Sequence, residues 1–356
     1  MTSQNLNELI KRYDPANMYG AIKSFPKQIL DSIEQMMNWN PKNPPDTIQN
    51  ILILGMGGSA IGGDLVKAII QQDCRVPIIV NRSYHIPNWV GPHTLVIASS
   101  YSGNTEETLS GYNEAVSRGA QIISVTTGGK LARLAEKGGY DIVLMVEGYQ
   151  PRAALGYSFT LLAGLMIRLG FIPDHYFSEI KTAAHSVSEM TVSLSDIQAT
   201  NPALDYSQKL KNTIPVIYGS EETTWIAALR MRGQLAENSK MMSFHHHIPE
   251  QNHNEIEGWG NYPSLLNTLS IVWIPDESDH PRSLARMKIT KQLLNGIPGS
   301  QIELTCDGEN RVTRLLKLIH FIDWISYYLA LLNRVDPSPV DRIMMLKSRM
   351  SEIAEK

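Results

Sequence analysis

Two charged side chains stand at predicted helix ends where the helix dipole disfavours their charge. Arg152 follows Pro151 in the first turn of one predicted helix, and Glu237 lies at the end of another, predicted over residues 222–238. Each placement costs only about 0.3–1 kcal/mol. Local rules tend to be broken at functional sites, so both residues are candidates for chemistry.

Together with His253 and Lys347, these residues could move protons on a sugar. Interconversion of an aldose and a ketose phosphate needs a base that shuttles one proton between C1 and C2. It also needs a cation beside the enediolate and an acid that opens the ring. A carboxylate can take the proton from one carbon and return it to the other, which favours Glu237 as the base and Arg152 as the cation. His253 and Lys347 are candidates for ring opening, since both can give or take a proton near neutrality when tuned.

Each of these residues also has a structural interpretation. Arg152 could form an ion pair with Glu147, and Glu237 could pair with Arg230 or Lys240. Lys347 could simply extend its stem along the apolar side of a helix.

A hydroxyl-rich loop over residues 99–108 follows a short apolar run that is typical of a buried parallel strand. A strand that ends in such a loop before a helix makes an anion site from backbone N–H groups and hydroxyl donors. The hydroxyl loop contains no Lys, so it suits holding a phosphate monoester better than transferring one. The alternative is an ordinary strand–turn–helix with a Ser/Thr cap.

A glycine-rich segment with Gly55, Gly57 and Ala60 fits the dinucleotide pattern G-x-G-x-x-A. That fold also needs an acidic residue after the second strand, where this chain has Asn81-Arg82-Ser83. The segment therefore indicates close backbone approach to a sugar phosphate, with Gly57, Gly58 and Ser59 as binding residues.

Two further motifs are weaker. Residues 127–130 have the wrong spacing for a nucleotide-binding P-loop and indicate a strand-to-helix turn. A zinc or iron site on His245, His247 and His253 is the metal alternative. We favour histidines near a surface or interface, and predict no metal and no other cofactor.

The 356 residues carry a net charge of −3 without basic clusters, which argues against nucleic acid as a partner. Cys74 and Cys306 are far apart and no apolar signal segment opens the chain, as expected of a cytoplasmic protein. The apolar run over 315–332 is interrupted by His320 and Asp323, so we predict a core helix and no membrane span.

The element pattern predicts an α/β protein with two parallel sheets, each flanked by helices in three layers. Residues 1–45 are predicted as a helical segment, 46–200 as the first subdomain and 201–336 as the second, with a Ser/Thr-rich connection over 182–204. The tail, 337–356, is predicted to pack back on the body and complete the site. Predicted strands cover residues 51–54, 77–80, 95–98, 122–125, 141–146, 214–218, 241–245, 269–274 and 301–304, and helices cover 222–238 and 311–333.

Several motifs, in order along both halves, resemble the bifunctional phosphoglucose/phosphomannose isomerases of the sugar isomerase (SIS) fold. They are GMGGSAIGGD (55–64), SYSGNTEET (100–108), PRAA (151–154), QLAENSK (234–240), NHNE (252–255) and LK (346–347). The resemblance covers nearly all of the chain after residue 45.

This resemblance implies two SIS subdomains and a metal-independent isomerase that converts glucose 6-phosphate, mannose 6-phosphate or both to fructose 6-phosphate. It implies phosphate binding by Ser59, Ser100, Ser102 and Thr105, the last three in the hydroxyl loop. Glu237 is then implied as proton shuttle and Arg152 as enediolate stabiliser. It also implies a homodimer in which His253 crosses from the partner subunit to open the ring with Lys347. A hydroxyl residue near the tail positions water or sugar in the family, and Ser338 is the residue we consider for that place, outside the core set.

The alternative from another class is a non-catalytic SIS-domain regulator that binds a sugar phosphate. Such a protein would need the hydroxyl loop but could dispense with Glu237, His253 and Lys347. A regulator would usually also carry a DNA-binding module, and the first 45 residues contain no basic recognition helix.

Overall fold

The computed structural model describes residues 3–197 and 200–353 of the chain. The first half contains helices α1 (Ser3–Tyr13), α2 (Met18–Lys23), α3 (Phe25–Met37), α4 (Gly57–Ile70), α5 (Glu106–Ser117), α6 (Gly129–Gly138), α7 (Leu155–Arg168) and α8 (His175–Ser195). Its strands are β1 (Asn50–Leu54), β2 (Ile78–Asn81), β3 (Thr94–Ser100), β4 (Gln121–Thr126) and β5 (Asp141–Leu144).

The second half contains helices α9 (Pro202–Leu210), α10 (Trp225–Glu237), α11 (Pro263–Leu266), α12 (Pro281–Leu293), α13 (Arg311–Leu332) and α14 (Asp341–Met350). Its strands are β6 (Ile214–Ser220), β7 (Phe244–Ile248), β8 (Leu269–Ile274) and β9 (Ser300–Glu303). Short 3₁₀ helices cover Pro151–Ala153, Glu250–His253 and Glu255–Gly260.

The strands form two sheets, and every strand pair in them is parallel. The first sheet has the order β2-β1-β3-β4-β5, and the second has the order β7-β6-β8-β9. In each sheet the carboxyl ends therefore meet at one edge, where ligands of such folds bind. The predicted α/β architecture with two parallel sheets is confirmed.

One large core lies between the two sheets and joins the halves. Because side chains of a strand alternate between faces, Ile51 and Ile53 of β1 enter this core with Ile217 of β6. The outer faces have smaller cores of their own: Leu52 packs with α5 and α6, and Trp273 packs with α12. Both sheets are thus covered on two faces, as parallel sheets require.

Helix α13 is long and apolar enough to cross a membrane, but 94% of its most apolar window is buried inside the fold. It packs against α8, α9 and α10. The prediction of a core helix at this position is confirmed.

The predicted connection over 182–204 is wrong. Most of it belongs to α8, because Ile180, Ala184, Val187, Thr191 and Leu194 are buried at helical spacing. Hydroxyl groups that indicated a loop are satisfied inside the helix instead, as when Thr191 Oγ1 donates to the carbonyl of Val187 at 2.7 Å.

The strand predicted over 241–245 is also shifted, to Phe244–Ile248. Lys240 has a left-handed φ of 56°, and the N–H of Met241 donates to the carbonyl of Leu235 at 3.0 Å. These residues therefore close α10 before β7 can begin.

The tail does form a helix, and residues 337–339 ahead of it accept hydrogen bonds from Arg152 and Lys240. The predicted packing of the helix itself against the body is wrong. Every residue of α14 is exposed. Its apolar side chains, among them Met344, Met345 and Leu346, point away from the core.

Candidate active site

Arg152 lies in the 3₁₀ turn before α7, and its side chain is only 3% exposed. Its Nε donates to Asn238 Oδ1 at 2.7 Å, and its Nη1 donates to Glu237 Oε2 at 3.3 Å. Its Nη2 donates to the carbonyl oxygens of Pro337 at 2.5 Å and Ser338 at 2.8 Å. The two residues placed against their helix dipoles are therefore partners of each other.

The structural interpretations of these two residues are wrong. Arg230 pairs with Asp323 rather than with Glu237, through Nε–Oδ1 at 3.0 Å and Nη2–Oδ2 at 2.9 Å. Lys240 Nζ donates to the main-chain carbonyl of Glu237 and not to its carboxylate. Glu147 is exposed and forms no ion pair in the described residues.

A buried polar network supports the Arg152 turn from behind. Arg230 Nη2 donates to the carbonyl of Arg152 at 2.7 Å, and Gln234 Nε2 donates to Asp323 Oδ1 at 2.8 Å. Asn238 Nδ2 donates to Ser326 Oγ at 2.9 Å, which ties the end of α10 to α13. Sequence reasoning missed this network; the signal was Asp323, a carboxylate inside an otherwise apolar core helix.

Charge is concentrated around this turn. Burial lowers the pKa of Arg152 below its ordinary value, while the adjacent Glu237 charge opposes the shift. Burial, and then the charge of Arg152, lower the pKa of Lys240, whose Nζ also donates to the carbonyl of Pro339 at 2.7 Å. The Glu237 side chain is 31% exposed, so its carboxylate faces space that a ligand can enter.

The predicted phosphate-binding hydroxyls lie at the carboxyl edge of the first sheet. Ser100 Oγ and Thr105 Oγ1 are 3.0 Å apart, and Ser59 Oγ accepts from the N–H of Tyr101 at 3.2 Å. Ser102 Oγ accepts from the N–H of Asn104 at 3.3 Å. Ser59 lies in the first turn of α4 and Thr105 is the N-cap of α5, so two helix N-termini meet there.

Close backbone contacts join these loops to each other and to Arg152. A Cβ on Gly58 would lie 2.7 Å from the carbonyl oxygen of Pro151, so only glycine lets the start of α4 pack on the arginine turn. Gly103 has φ of 65°, and a Cβ there would overlap the carbonyl oxygen of Gly128. The start of α4, which carries Ser59, therefore packs directly on the turn that carries Arg152.

The turn over 127–130 braces this site. Thr127 Oγ1 donates to the carbonyl of Tyr101 at 2.7 Å, and the N–H of Lys130 donates to Asn104 Oδ1 at 3.1 Å. The predicted strand-to-helix turn is confirmed, because β4 ends at Thr126 and α6 begins at Gly129. Its contribution to the loop was not visible in the sequence.

The structure does not bring His253 to Glu237 within one chain. Helix α10 runs back along the parallel strands, so Glu237 lies near the amino end of β7, whereas His253 follows its carboxyl end. The five residues of β7 span about 16 Å. His253 is exposed, and so is Lys347 on α14; neither side chain has a hydrogen-bond partner in residues 3–197 and 200–353.

The metal alternative finds no support in the geometry. No group of three or more His, Cys, Asp or Glu side chains in the described ranges could hold a metal ion. His247 Nε2 lies 3.1 Å from Glu221 Oε2, and burial is the main cause that lowers the pKa of His245 to about 4.

The arrangement can bind an anionic group at neutral donors and hold a carbon skeleton beside a carboxylate and a buried cation. A carboxylate next to a guanidinium suits removal of a proton α to a carbonyl, since the cation stabilises the enediolate that forms. Ser338, whose carbonyl accepts from Arg152, has a buried Oγ with no partner among the described residues and stands at the same site.

Comparisons with known proteins identify relatives of this chain. Residues 199–350 match the family described as the bacterial phospho-glucose isomerase C-terminal SIS domain. The chain is 40% identical to the bifunctional phosphoglucose/phosphomannose isomerase of Caldicellulosiruptor bescii over 95% of this chain and 100% of that protein. It is 35% identical to the protein of the same name from Aquifex aeolicus, over 86% of this chain and 92% of that protein.

A hypothetical protein from Thermus thermophilus shares the fold. Its solved structure aligns with a TM-score of 0.72 and 15% identity, covering 98% of this chain and 93% of that one.

Proposed function

Because this chain belongs to the bifunctional phosphoglucose/phosphomannose isomerase family, we propose that it interconverts glucose 6-phosphate and mannose 6-phosphate with fructose 6-phosphate. The observation that carries the proposal is the pairing of Glu237 with the buried Arg152 beside the hydroxyl loop. This activity would serve glycolysis and gluconeogenesis.

In the proposed reaction the 6-phosphate binds at Ser59, Ser100, Ser102 and Thr105, with backbone N–H groups near Gly57 and Gly58. Glu237 removes the proton from C2 of the open-chain aldose, and the electron pair moves through C2–C1 onto the carbonyl oxygen. Arg152 stabilises the enediolate. Glu237 returns the proton to C1 as the hydroxyl proton of O2 passes to O1, which leaves a ketone at C2 and a hydroxyl at C1. These steps use side chains alone, without a metal or other cofactor.

Ring opening precedes this transfer. The C1–O5 bond breaks as O5 gains a proton and the C1 hydroxyl loses one. We assign these transfers to His253 and Lys347. Both aldoses can share the site because they differ only at C2, and that stereocentre is absent from the enediolate.

The positions of His253 and Lys347 support a homodimer. Glu237 and His253 lie at opposite ends of β7, so a complete site needs His253 from a second copy. Exposed apolar side chains of the tail offer a surface for that copy: Ile343, Met344, Met345, Leu346, Met350 and Ile353. In the dimer α14 would be covered, and Lys347 would complete the site.

Mixing two inactive variants tests the shared site. Glu237→Gln and His253→Gln should each be inactive alone. After mixing and subunit exchange, one site of each heterodimer is intact, so about a quarter of wild-type activity should return. No recovery despite proven heterodimers would contradict a site shared between subunits.

We also propose a cytoplasmic location. Both cysteines, Cys74 and Cys306, are free, as is usual in a reducing compartment. Cell fractionation would test this directly.

A coupled assay that detects fructose 6-phosphate tests the activity with both aldoses. We expect turnover of at least one of them by the wild type, and a loss of about 10³-fold or more in Glu237→Gln. Full activity in Glu237→Gln would contradict the mechanism. Binding of both sugars without turnover by folded wild-type protein would indicate the sugar-phosphate regulator instead.

A further inference from the structure

One of the three consecutive histidines on β7 belongs to a chain of hydrogen bonds. His246 Nδ1 lies 2.9 Å from Glu255 Oε2, and the other oxygen of that carboxylate accepts from the hydroxyl of Tyr218. The Tyr218 oxygen in turn accepts from Trp259 Nε1 at 3.1 Å. Tyr218 is fully buried and Trp259 is 5% exposed, so the chain ends in the outer core of the second sheet.

This hydrogen-bond chain holds the segment that carries His253. Glu255 follows His253 by two residues and opens the next 3₁₀ turn. On the other side of His253, Asn252 Nδ2 donates to Gln251 Oε1 at 2.7 Å and to Thr290 Oγ1 of α12 at 2.8 Å. His253 is therefore an exposed side chain between two anchored neighbours.

We propose that His246, Glu255 and Tyr218 are positioning residues that hold His253 in place for ring opening. The proposal rests on the role assigned to His253 above. It gives a function to one histidine of the triple-histidine run, which the mechanism does not otherwise use.

The neighbouring histidine, His247, has an exposed partner and, within the described residues, no link to the core. His247 points to the other face of the strand and pairs with Glu221, whose side chain is 60% exposed. By contrast, Tyr218 reaches Glu255 from inside the core. Burial, followed by the hydrogen bond to Glu255, raises the pKa of Tyr218 above its ordinary value, so its hydroxyl remains a donor to that carboxylate.

Ring opening can be measured separately from isomerisation. Interconversion of the α and β anomers of glucose 6-phosphate breaks and reforms the C1–O5 bond and moves protons only between oxygens. Exchange NMR follows this step. We expect Glu255→Ala and His246→Ala to slow it by about tenfold or more, and Tyr218→Phe to slow it to a smaller extent.

The same variants should bind an enediolate mimic normally. A phosphorylated open-chain sugar acid needs no ring opening, so its Kd should stay within about twofold of wild type. In His246→Asn the amide nitrogen lies near the position of Nδ1 and can still donate to Glu255, so most of the rate should return. His247→Ala is the matched control and should leave both measurements unchanged.

Failure of this proposal can be told apart from failure of the proposed function. If wild type accelerates anomer exchange and His253→Ala does not, the role of His253 stands. Wild-type rates in Glu255→Ala and His246→Ala would then overturn the positioning role alone, as would parallel losses of anomer exchange and mimic binding. Normal exchange in His253→Ala would overturn both.

Discussion

At the carboxyl edge of the first sheet, the hydroxyls of Ser59, Ser100 and Thr105 have only neighbouring loop atoms as hydrogen-bond partners within residues 3–197 and 200–353. At the same edge of the second sheet, the corresponding hydroxyls donate to carboxylates. Ser220 Oγ and Ser283 Oγ donate to the two oxygens of Glu222, at 2.5 Å and 2.9 Å. The hydroxyl of Thr223 donates to Asp279.

Backbone donors of the second half are also taken by carboxylates. We call residues 275–280 the carboxylate loop. In it, the N–H of Asp276 donates to Asp279 Oδ2 at 2.8 Å. Arg314 Nε and Nη2 bind both oxygens of Asp276, at 2.8 Å and 2.9 Å. No carboxylate accepts a hydrogen bond from Ser59, Ser100, Ser102 or Thr105 in the part of the chain that the structure describes.

Two halves of similar architecture thus use their strand-to-helix loops differently. Carboxylates in the second half take the donors that would otherwise bind an external anion. In the described residues the first half leaves the hydroxyl donors of these loops without carboxylate partners, and the start of α4 packs on the Arg152 turn. Architecture alone therefore does not locate the site; the acidic residues after β6 and β8 distinguish the second half from the half to which we assign phosphate binding.

The largest difference between the two halves should appear when a buried arginine of each half is substituted. Arg152→Lys keeps a charge but cannot serve four acceptors, so kcat should fall by about 10²-fold or more. Arg314→Lys in the second half should lower the melting temperature and leave kcat unchanged. The coupled assay measures kcat and thermal melts measure stability. Equal losses of kcat in the two variants would contradict the claim that Arg152 takes part in the reaction and Arg314 in stability alone.

A smaller difference should come from matched threonines. Thr105→Val removes one donor to the phosphate, so KM should rise by about tenfold. Thr223→Val leaves Asp279 without its hydroxyl partner, so it should cost about 1–3 kcal/mol of stability without changing KM. Steady-state kinetics and urea unfolding separate these outcomes. A raised KM in Thr223→Val would argue against the claim that carboxylates occupy the donors of the second half.

The core shared by both halves should affect stability alone. Trp324 Nε1 donates to His320 Nε2 at 2.9 Å, and burial lowers the pKa of His320 to about 3. Unfolding lets this histidine bind a proton below its ordinary pKa of about 6.5, so stability should fall as pH drops, by about 2 kcal/mol at pH 5. His320→Gln keeps an acceptor but cannot titrate in this range.

Unfolding of both proteins in urea at pH 7 and pH 5 checks this expectation. Between pH 7 and pH 5 the wild type should lose more stability than His320→Gln. The two proteins should have the same kcat at pH 7. An identical pH dependence in the two proteins would show that His320 is not the group responsible.

Local patterns predicted the strands well apart from β7, because continuous apolar runs leave few alternatives for a buried parallel strand, and β7 has no such run. They failed at residues 182–204, where hydroxyl side chains inside α8 resemble those of a loop. They also failed at the tail, where the apolar stripe of α14 predicted packing against its own chain. A helix with an exposed apolar face has the same sequence signature whichever molecule covers it.

For the site, the sequence identified charges that oppose their helix dipoles but could not pair them. Arg152 and Glu237 are 85 residues apart, and only the tertiary fold shows that they are in contact. The hydrogen bonds from Arg152 to Asn238 and to the carbonyls of Pro337 and Ser338 could not be predicted for the same reason. Main-chain acceptors carry no sequence signal.

A crystal structure with bound fructose 6-phosphate tests the central claim most directly. We predict one phosphate per chain, with its oxygens about 2.7–3.0 Å from the hydroxyls of Ser59, Ser100 and Thr105, and C1 and C2 beside Glu237. A phosphate held by residues 275–280, or a sugar whose C1 and C2 lie away from Glu237 and Arg152, would contradict the account.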